Sequence, residues 1–356
     1  MTVCFIKLSS IKGLVILKKV FEVSSVFIGL VIGAGFASGR EIFEYFNLAG
    51  KTDVTGIVLA SIFFGIISYI LINFSSELGC DSFGSFIKCV MPKTAFIMDA
   101  FMQIYMFCGL FVMFSGASVL LCKTLGTSPL FSTVCFAAVC FIIFSFNIKG
   151  LVAVNVLLVP AMVLGILALC IFSGITAAKE TFFSYNEIKH NPLISALCYV
   201  SYNTITAGAV IIPVSAGISR KTAAKSAIIG GGVLGLAIFL IWNTQNIFYD
   251  QILVCEMPLF EIAAAHGRLF EGLYAVVLLA ALLTTAVSYG FGILEKMCPP
   301  TAPGKIAASF LLCAVCIPFS RLGFSDLIAN LYFFFGAVGL LWLGFLLLAY
   351  LKKNRT

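Results

Sequence analysis

The sequence predicts an all-α membrane protein, with about ten transmembrane helices in two inverted five-helix repeats and with helices 1 and 6 discontinuous. Three observations carry that prediction. Of the 356 residues, 61% are hydrophobic and 10% charged, against about 25% charged in soluble domains. Apolar runs near the roughly 20 residues that cross a bilayer recur along the whole chain, at 21–46, 54–78, 94–121, 129–146, 150–174, 193–218, 223–246, 269–294, 305–319 and 327–351. The first and sixth runs, at corresponding places in the two halves, are interrupted by small or polar residues.

Residues 1–20 carry Lys7, Lys12, Lys18 and Lys19 between two short apolar stretches. These are too broken for a signal peptide and predict a cytoplasmic N-terminal arm. A single transmembrane domain follows over 21–351, with repeat one at about 21–174, repeat two at about 193–351, and a cytoplasmic tail at 352–356. With the N-terminus inside, the inner segments hold fifteen Lys and Arg residues and the outer segments hold six, at Lys51, Lys123, Lys179, Lys189, Arg268 and Arg321. The positive-inside bias therefore predicts a cell-membrane protein with both termini cytoplasmic. The net charge of +7 is spread in short clusters between apolar runs, which argues against nucleic acid as a partner and for the lipid bilayer. Most of the thirteen cysteines lie within apolar runs, where Cys acts as a small hydrophobe. The pair Cys313 and Cys316 has no His or second pair beside it, so a metal site there is not expected.

The first run reads Ile32-Gly33-Ala34-Gly35-Phe36-Ala37-Ser38-Gly39-Arg40-Glu41, with a further Gly29. Each Gly costs about 1 kcal/mol against Ala inside a helix. One such pair of small residues could simply allow close helix packing. Ser38 and Glu41, however, have the spacing of a capping box, the mark of a helix start, and a start in mid-membrane implies an interruption. Glu41 is then either a cap or an ionisable group with work to do in the membrane. The sixth run contains Ser201-Tyr202-Asn203-Thr204-Ile205-Thr206-Ala207-Gly208 before Pro213. Alone it could be polar glue between helices; paired with the first run it predicts a second break. Irregular backbone at membrane depth persists only where it is buried or lines a watery cavity, and paired discontinuous helices mark the midplane site of inverted-repeat transporters. The loop 247–268 contains Pro258 followed by Leu259, Phe260, Ile262 and Ala263, a pattern for a short helix across the outer mouth.

The stretch Gly33-Ala34-Gly35-Phe36-Ala37-Ser38-Gly39-Arg40-Glu41 resembles the first-helix motif of the YkvI-like membrane proteins, within the amino acid–polyamine–organocation superfamily. The resemblance spans the whole chain and implies the LeuT fold. In sodium-coupled members of that fold, an ion sits between the helix 1 break and the middle of helix 8. The resemblance places sodium, the expected coupling ion in a chain with no other cofactor, at the carbonyls of Gly29, Ile32 and Ala281 and the hydroxyls of Thr284 and Thr285. Five oxygens suit a hard cation. The paired threonines could instead merely bond back to preceding carbonyls. Proton-coupled relatives often carry a Lys in the middle of helix 5; here 150–174 holds none, and Lys149 stands at its end. Asp99 and Glu41 remain as candidate proton carriers.

The resemblance also places a substrate carboxylate at the backbone N–H groups of Ala34, Gly35 and Phe36. Helix 6 would contribute Tyr202, Asn203, Thr204 and Thr206, and helix 3 would contribute Gln103 and Phe107, four apart on one face. Arg40 and Asp326 would form an outer gate. Asp99 could equally pair with Lys93. Polar, uncharged helix 6 residues favour a small neutral or zwitterionic solute, most simply an amino acid, taken up by a secondary active transporter. A proton-coupled or uncoupled permease, and a sensor that binds without transporting, stay open as alternatives. An enzyme is not expected: the histidines, His190 and His266, fall in outer loops, and no nucleophile–base motif appears in the sequence.

Overall fold

The structure, a computed structural model, describes residues 2–47, 54–146, 150–176, 191–297 and 302–354. Lys51, Lys149, Lys179, Lys189, His190 and Arg355 lie outside them. The described residues form helices α1 (Thr2–Val31), α2 (Ala34–Ser38) and α3 (Arg40–Ile42), the last running into a π-turn, Phe43–Asn47. Next come α4 (Thr55–Glu77), α5 (Phe83–Val90), α6 (Ala95–Leu125), α7 (Pro129–Phe146) and α8 (Gly150–Thr176). The second half holds α9 (Pro192–Val214), α10 (Arg220–Ile247), α11 (Tyr249–Ile252), α12 (Pro258–Ala265), α13 (Arg268–Met297) and α14 (Ala302–Phe319). The chain closes with α15 (Phe324–Leu327), a π-turn over Ile328–Tyr332, and α16 (Phe333–Lys353).

Six helical stretches are long and apolar enough to cross a membrane unaided, at 55–77, 95–125, 192–214, 220–247, 268–296 and 324–353, and shorter apolar helices occupy 129–145, 160–176 and 303–319. Their outer faces stay apolar: Ile66, Phe96, Leu164, Ile228, Val276, Phe310 and Leu348 are all exposed. In water such a surface would aggregate; in lipid it is the matching solvent. The helices pack in two groups. In one, α1, α4, α9 and α10 contact one another; in the other, α13 packs on α6 and α7, and α14 on α7 and α6. Helix α16 lies on α9, while α8 touches both α10 and α13.

Glycines set the closest approaches. A Cβ on Gly231 of α10 would lie 2.8 Å from the Gly65 nitrogen and 2.8 Å from the Ser61 carbonyl of α4. The Ser61 hydroxyl donates to the Gly231 carbonyl at 2.9 Å. Val20 of α1 and Lys353 of α16, on the terminal helices, lie at one end of the bundle: the Ser226 hydroxyl, in the second turn of α10, donates to the Val20 carbonyl, and Lys353 pairs with Glu77 at the end of α4.

Helix 1 is interrupted as its glycines predict, but it begins at Thr2 rather than near residue 21, so the expected arm is continuous with it. The predicted break in helix 6 is not there, since α9 is helical throughout Pro192–Val214. The reason is local. The side chains read as interrupting the helix bond back onto its own carbonyls: Asn203 Nδ2 to Tyr199 (2.9 Å), Thr204 Oγ1 to Val200 (2.8 Å) and Thr206 Oγ1 to Asn203 (2.9 Å). Such bonds satisfy polar groups without opening the backbone. Ser201 also reaches across to the Gly336 carbonyl of α16 at 2.6 Å, the gluing role its sequence equally allowed.

Candidate functional site

The break in helix 1 occupies Ile32 and Gly33. The Ile32 N–H still bonds to the Ile28 carbonyl, whereas the Gly33 N–H turns back to Val31 and Gly33 itself is extended. The N–H groups of Ala34, Gly35 and Phe36 thus open a new turn with no backbone acceptor of their own. Helix α2 is five residues long, too short to supply a sizeable dipole. What it offers is donors rather than a field. It ends at Gly39, whose φ of 77° is left-handed, a conformation that glycine adopts without penalty.

This region is fixed from the end opposite the termini. The Tyr274 hydroxyl donates to the Ala37 carbonyl at 2.6 Å, and Gln245 Nε2 donates to the Gly39 carbonyl at 2.7 Å. Leu259, on the short helix α12, packs onto Gly39 so closely that a Cβ there would lie 2.7 Å from its Cγ. The expected capping box does not form. Gly39, not Ser38, caps α3; the Ser38 hydroxyl donates to the Gly35 carbonyl and accepts from the Arg40 N–H, and Glu41 turns inward.

Beside the break lies a cavity of about 230 Å³. That is room for several waters or for one small molecule. Of the residues singled out in the sequence, Gly29, Ile32, Ala34, Gly35, Glu41, Tyr202, Asn203, Thr206, Thr284 and Thr285 all line it. The exposed lining residues Ala209, Val210 and Ser288 sit on the halves of α9 and α13 nearer the termini. The cavity therefore opens toward that end and is closed at the other.

The remaining candidates lie elsewhere. Phe36 is fully buried in the core, and the Thr204 hydroxyl is held within its own helix. Gln103 and Phe107 do not line the cavity; that face of α6 is presented by Met102, Tyr105, Met106 and Met113, one step around the helix from the predicted pair. Phe107 instead meets Phe111, and both amide atoms of Gln103 are buried without a partner. Ala281 is buried behind the lining, its carbonyl accepting the Thr284 hydroxyl at 3.1 Å. For Thr284 the back-bonding alternative is thus realised, while Thr285 Oγ1 makes no hydrogen bond among the described residues and faces Gly33, 3.6 Å from where a Cβ would stand.

The gate pairing is also different. Arg40 forms an ion pair with Glu44, one turn on in the same segment, and donates from Nη1 to the Cys255 carbonyl at 3.0 Å; no Arg40–Asp326 pair exists among the described residues. Two charges four residues apart are already neighbours and need no distant partner. The Asp326 segment meets the loop before α12 through Glu256 instead, which accepts the Ser325 N–H at 3.2 Å. Asp99 is 57% exposed and pairs with Lys296, not Lys93, so it stands outside the cavity as a surface charge. Asp99→Asn is expected to shift unfolding stability by no more than about 0.5 kcal/mol, measured by thermal denaturation in detergent.

Three lining groups had no sequence argument behind them: Ser288 and Tyr289 on α13, Tyr332 in the π-turn before α16, and Met162 on α8 with the α6 methionines. For Ser288 and Tyr289 a signal existed, since they follow Thr284 and Thr285 at helical spacing.

An all-helical membrane bundle with an interrupted first helix over a central cavity is the architecture of LeuT-fold transporters. The comparisons with solved structures agree: a Na+-coupled sialic acid symporter superposes with a TM-score of 0.59 at 14% identity, covering 93% of this chain and 78% of that one. Mhp1, a nucleobase-cation-symport-1 family transporter, gives 0.56 at 13% identity, with 88% and 74% coverage. The manganese transporter of Eremococcus coleocola gives 0.55 at 16%, with 94% and 78% coverage. Among curated sequences, the chain is similar to the membrane protein YkvI of Bacillus subtilis (strain 168), 27% identical over 348 residues that cover 94% of this chain and 97% of the relative. YyaD of the same organism is 27% identical over 326 residues, covering 90% and 94%. No protein-family model matches the chain. The chain is a multi-pass membrane protein of LeuT-type fold.

Proposed function

We propose that the chain is a secondary active transporter in the cytoplasmic membrane, with both termini cytoplasmic and ten spans in two inverted repeats. It moves a small neutral or zwitterionic solute of the amino acid class together with sodium, by alternating access. The observation that carries this reading is the interrupted helix facing Thr284 and Thr285 across one cavity. There the carbonyls of Gly29 and Ile32 and the Thr285 hydroxyl lie without other partners among the described residues. Thr284 Oγ1 donates to the Ala281 carbonyl and keeps its own lone pairs for a cation. A site open toward the termini and shut at the other end is the inward-facing member of the cycle. The uncharged lining of α9, with Asn203 and Thr206, suits a neutral or zwitterionic solute.

One observation favours a second reading, proton coupling. Glu41 lines the cavity, is only 5% exposed, and has its Oε2 without a partner. The two readings part in proteoliposomes holding purified protein, supplied with labelled amino acids under an inward sodium gradient or an inward proton gradient. Accumulation above equilibrium with sodium alone is the expected result. Accumulation driven only by protons moves the coupling to Glu41, and no accumulation under either gradient leaves a binding protein and not a transporter.

A further inference from the structure

A second hollow lies on the outside of the bundle, apart from the cavity at the helix 1 break. It is a groove of about 750 Å³ between the end of α6 and the start of α13, within the roughly 300–1,000 Å³ of sites that hold a small molecule. Its α13 wall is Arg268, Glu271, Gly272, Ala275, Val276 and Leu279, the three- and four-residue spacing of one helix face. Leu120, Leu121, Thr124 and Leu125 of α6 form the other wall. Val276 and Leu125 are each 68% exposed, so the groove looks outward into the bilayer. It lies at the same end of the bundle as α12, since Lys123, beside its α6 wall, pairs with Glu261.

Polarity changes along the groove in the order found in a lipid. From Arg268 to Leu279 the helix rises about 16 Å at 1.5 Å per residue, about half of the roughly 30 Å of hydrocarbon and so the depth of one leaflet. Arg268 and Glu271 stand in the first turn of α13, at the mouth, and everything deeper on that wall is apolar or glycine. Neither charge has an ion pair among the described residues, although charges at this spacing on one face readily pair. Lys123 is already taken by Glu261. Gly272 has no packing reason to be glycine, since an added Cβ would meet nothing within 4 Å. Glycine costs a helix about 1 kcal/mol against alanine, and what its missing side chain leaves is the space of the groove. We propose that this groove binds a phospholipid with a zwitterionic headgroup, whose phosphate pairs with Arg268, whose ammonium pairs with Glu271, and one of whose acyl chains lies against the leucines of α6. Guanidinium and phosphate form a bidentate, charge-assisted pair. An anionic headgroup would satisfy Arg268 but set its phosphate beside Glu271 with no cation to offset it. The inference concerns the membrane-embedded bundle and goes beyond the transport reading.

The test uses purified full-length protein stripped of lipid in detergent. Dioleoyl phosphatidylethanolamine or dioleoyl phosphatidylglycerol is added back, and native mass spectrometry counts the lipid retained. The two lipids share their chains and differ in the headgroup. The wild type should retain phosphatidylethanolamine in preference to phosphatidylglycerol, and its unfolding midpoint should rise more with the former. Gly272→Leu fills the groove where an added side chain has free space, so the protein should fold and its apparent affinity for phosphatidylethanolamine should fall on the order of tenfold. Gly232→Leu on α10, where a Cβ is equally free of contacts, should leave that affinity unchanged. Arg268→Gln should weaken phosphatidylethanolamine on the order of tenfold, and Glu271→Gln should erase its advantage over phosphatidylglycerol. The proposal is overturned if the wild type retains neither lipid or both equally, if Gly272→Leu binds phosphatidylethanolamine like the wild type, or if Gly232→Leu loses it as fully as Gly272→Leu. Solute accumulation in proteoliposomes bears on the transport reading alone, so either conclusion can fail without the other.

Discussion

Sodium chloride should raise the unfolding midpoint of the wild-type protein above its value in equimolar potassium chloride, and Thr285→Val should abolish the difference. A ligand bound only by the folded state adds RT ln(1 + [L]/Kd), about 2.7 kcal/mol at a hundredfold excess over Kd. The expected loss on substitution is of that size. Valine keeps the shape of threonine and removes one oxygen. The hydroxyl it removes is the one with no competing hydrogen bond, facing Gly33 at the helix break. Thr284 is the poorer probe, because its hydroxyl also bonds the Ala281 carbonyl and its loss would change α13 with or without an ion. Ser288→Ala is the control. Its hydroxyl lines the same cavity but is bonded to the Thr284 carbonyl at 2.9 Å, so the sodium response should survive. Equal midpoints in the two salts for the wild type would count against the sodium site and leave proton-coupled or uncoupled transport, with Glu41 the next residue to test.

What could be read from the sequence follows how uniquely each residue type dictates its surroundings. The membrane class was legible because apolar runs along the whole chain leave no room for another solvent. The first helix break was legible because glycines at Gly33, Gly35 and Gly39 leave the backbone free to depart from a helix, and one of them is left-handed. The second was misread because Ser, Asn and Thr have two outlets in a membrane helix, and Asn203 and Thr204 bond inward to their own turn. On α6 the error was one of phase. The helix is apolar all round, so no polar face marks which side meets the cavity, and choosing Gln103 and Phe107 missed Met102 and Met106 by a single step of about 100°. Arg40 was assigned a distant partner while a carboxylate one turn away, Glu44, took it. Pair contacts between helices depend on packing that periodicity does not encode, whereas pairs within a turn do not.

Gly231→Val should leave no stable protein, seen as loss of the monodisperse peak in detergent or as a large fall in the unfolding midpoint. Overpacking a core typically costs 1–3 kcal/mol when neighbouring side chains can shift. Here they cannot, because the first added carbon would already lie 2.8 Å from a backbone nitrogen and a backbone oxygen of α4. Helices α4 and α10 would have to part, breaking the bond from Ser61 to the Gly231 carbonyl. The damage would reach the site through the adjoining residue. Gly230 receives Phe27 of α1, with a Cβ position 2.9 Å from its ring, so two neighbouring glycines on α10 seat both α4 and the half-helix that leads to the break. Gly232→Ala, where an added Cβ meets nothing within 4 Å, is the matched control and should gain up to about 1 kcal/mol from helix propensity alone. A Gly231→Val protein as stable as the wild type would mean that α4 and α10 do not touch backbone to backbone, and that the half-helix bearing Gly29 and Ile32 is not anchored as described.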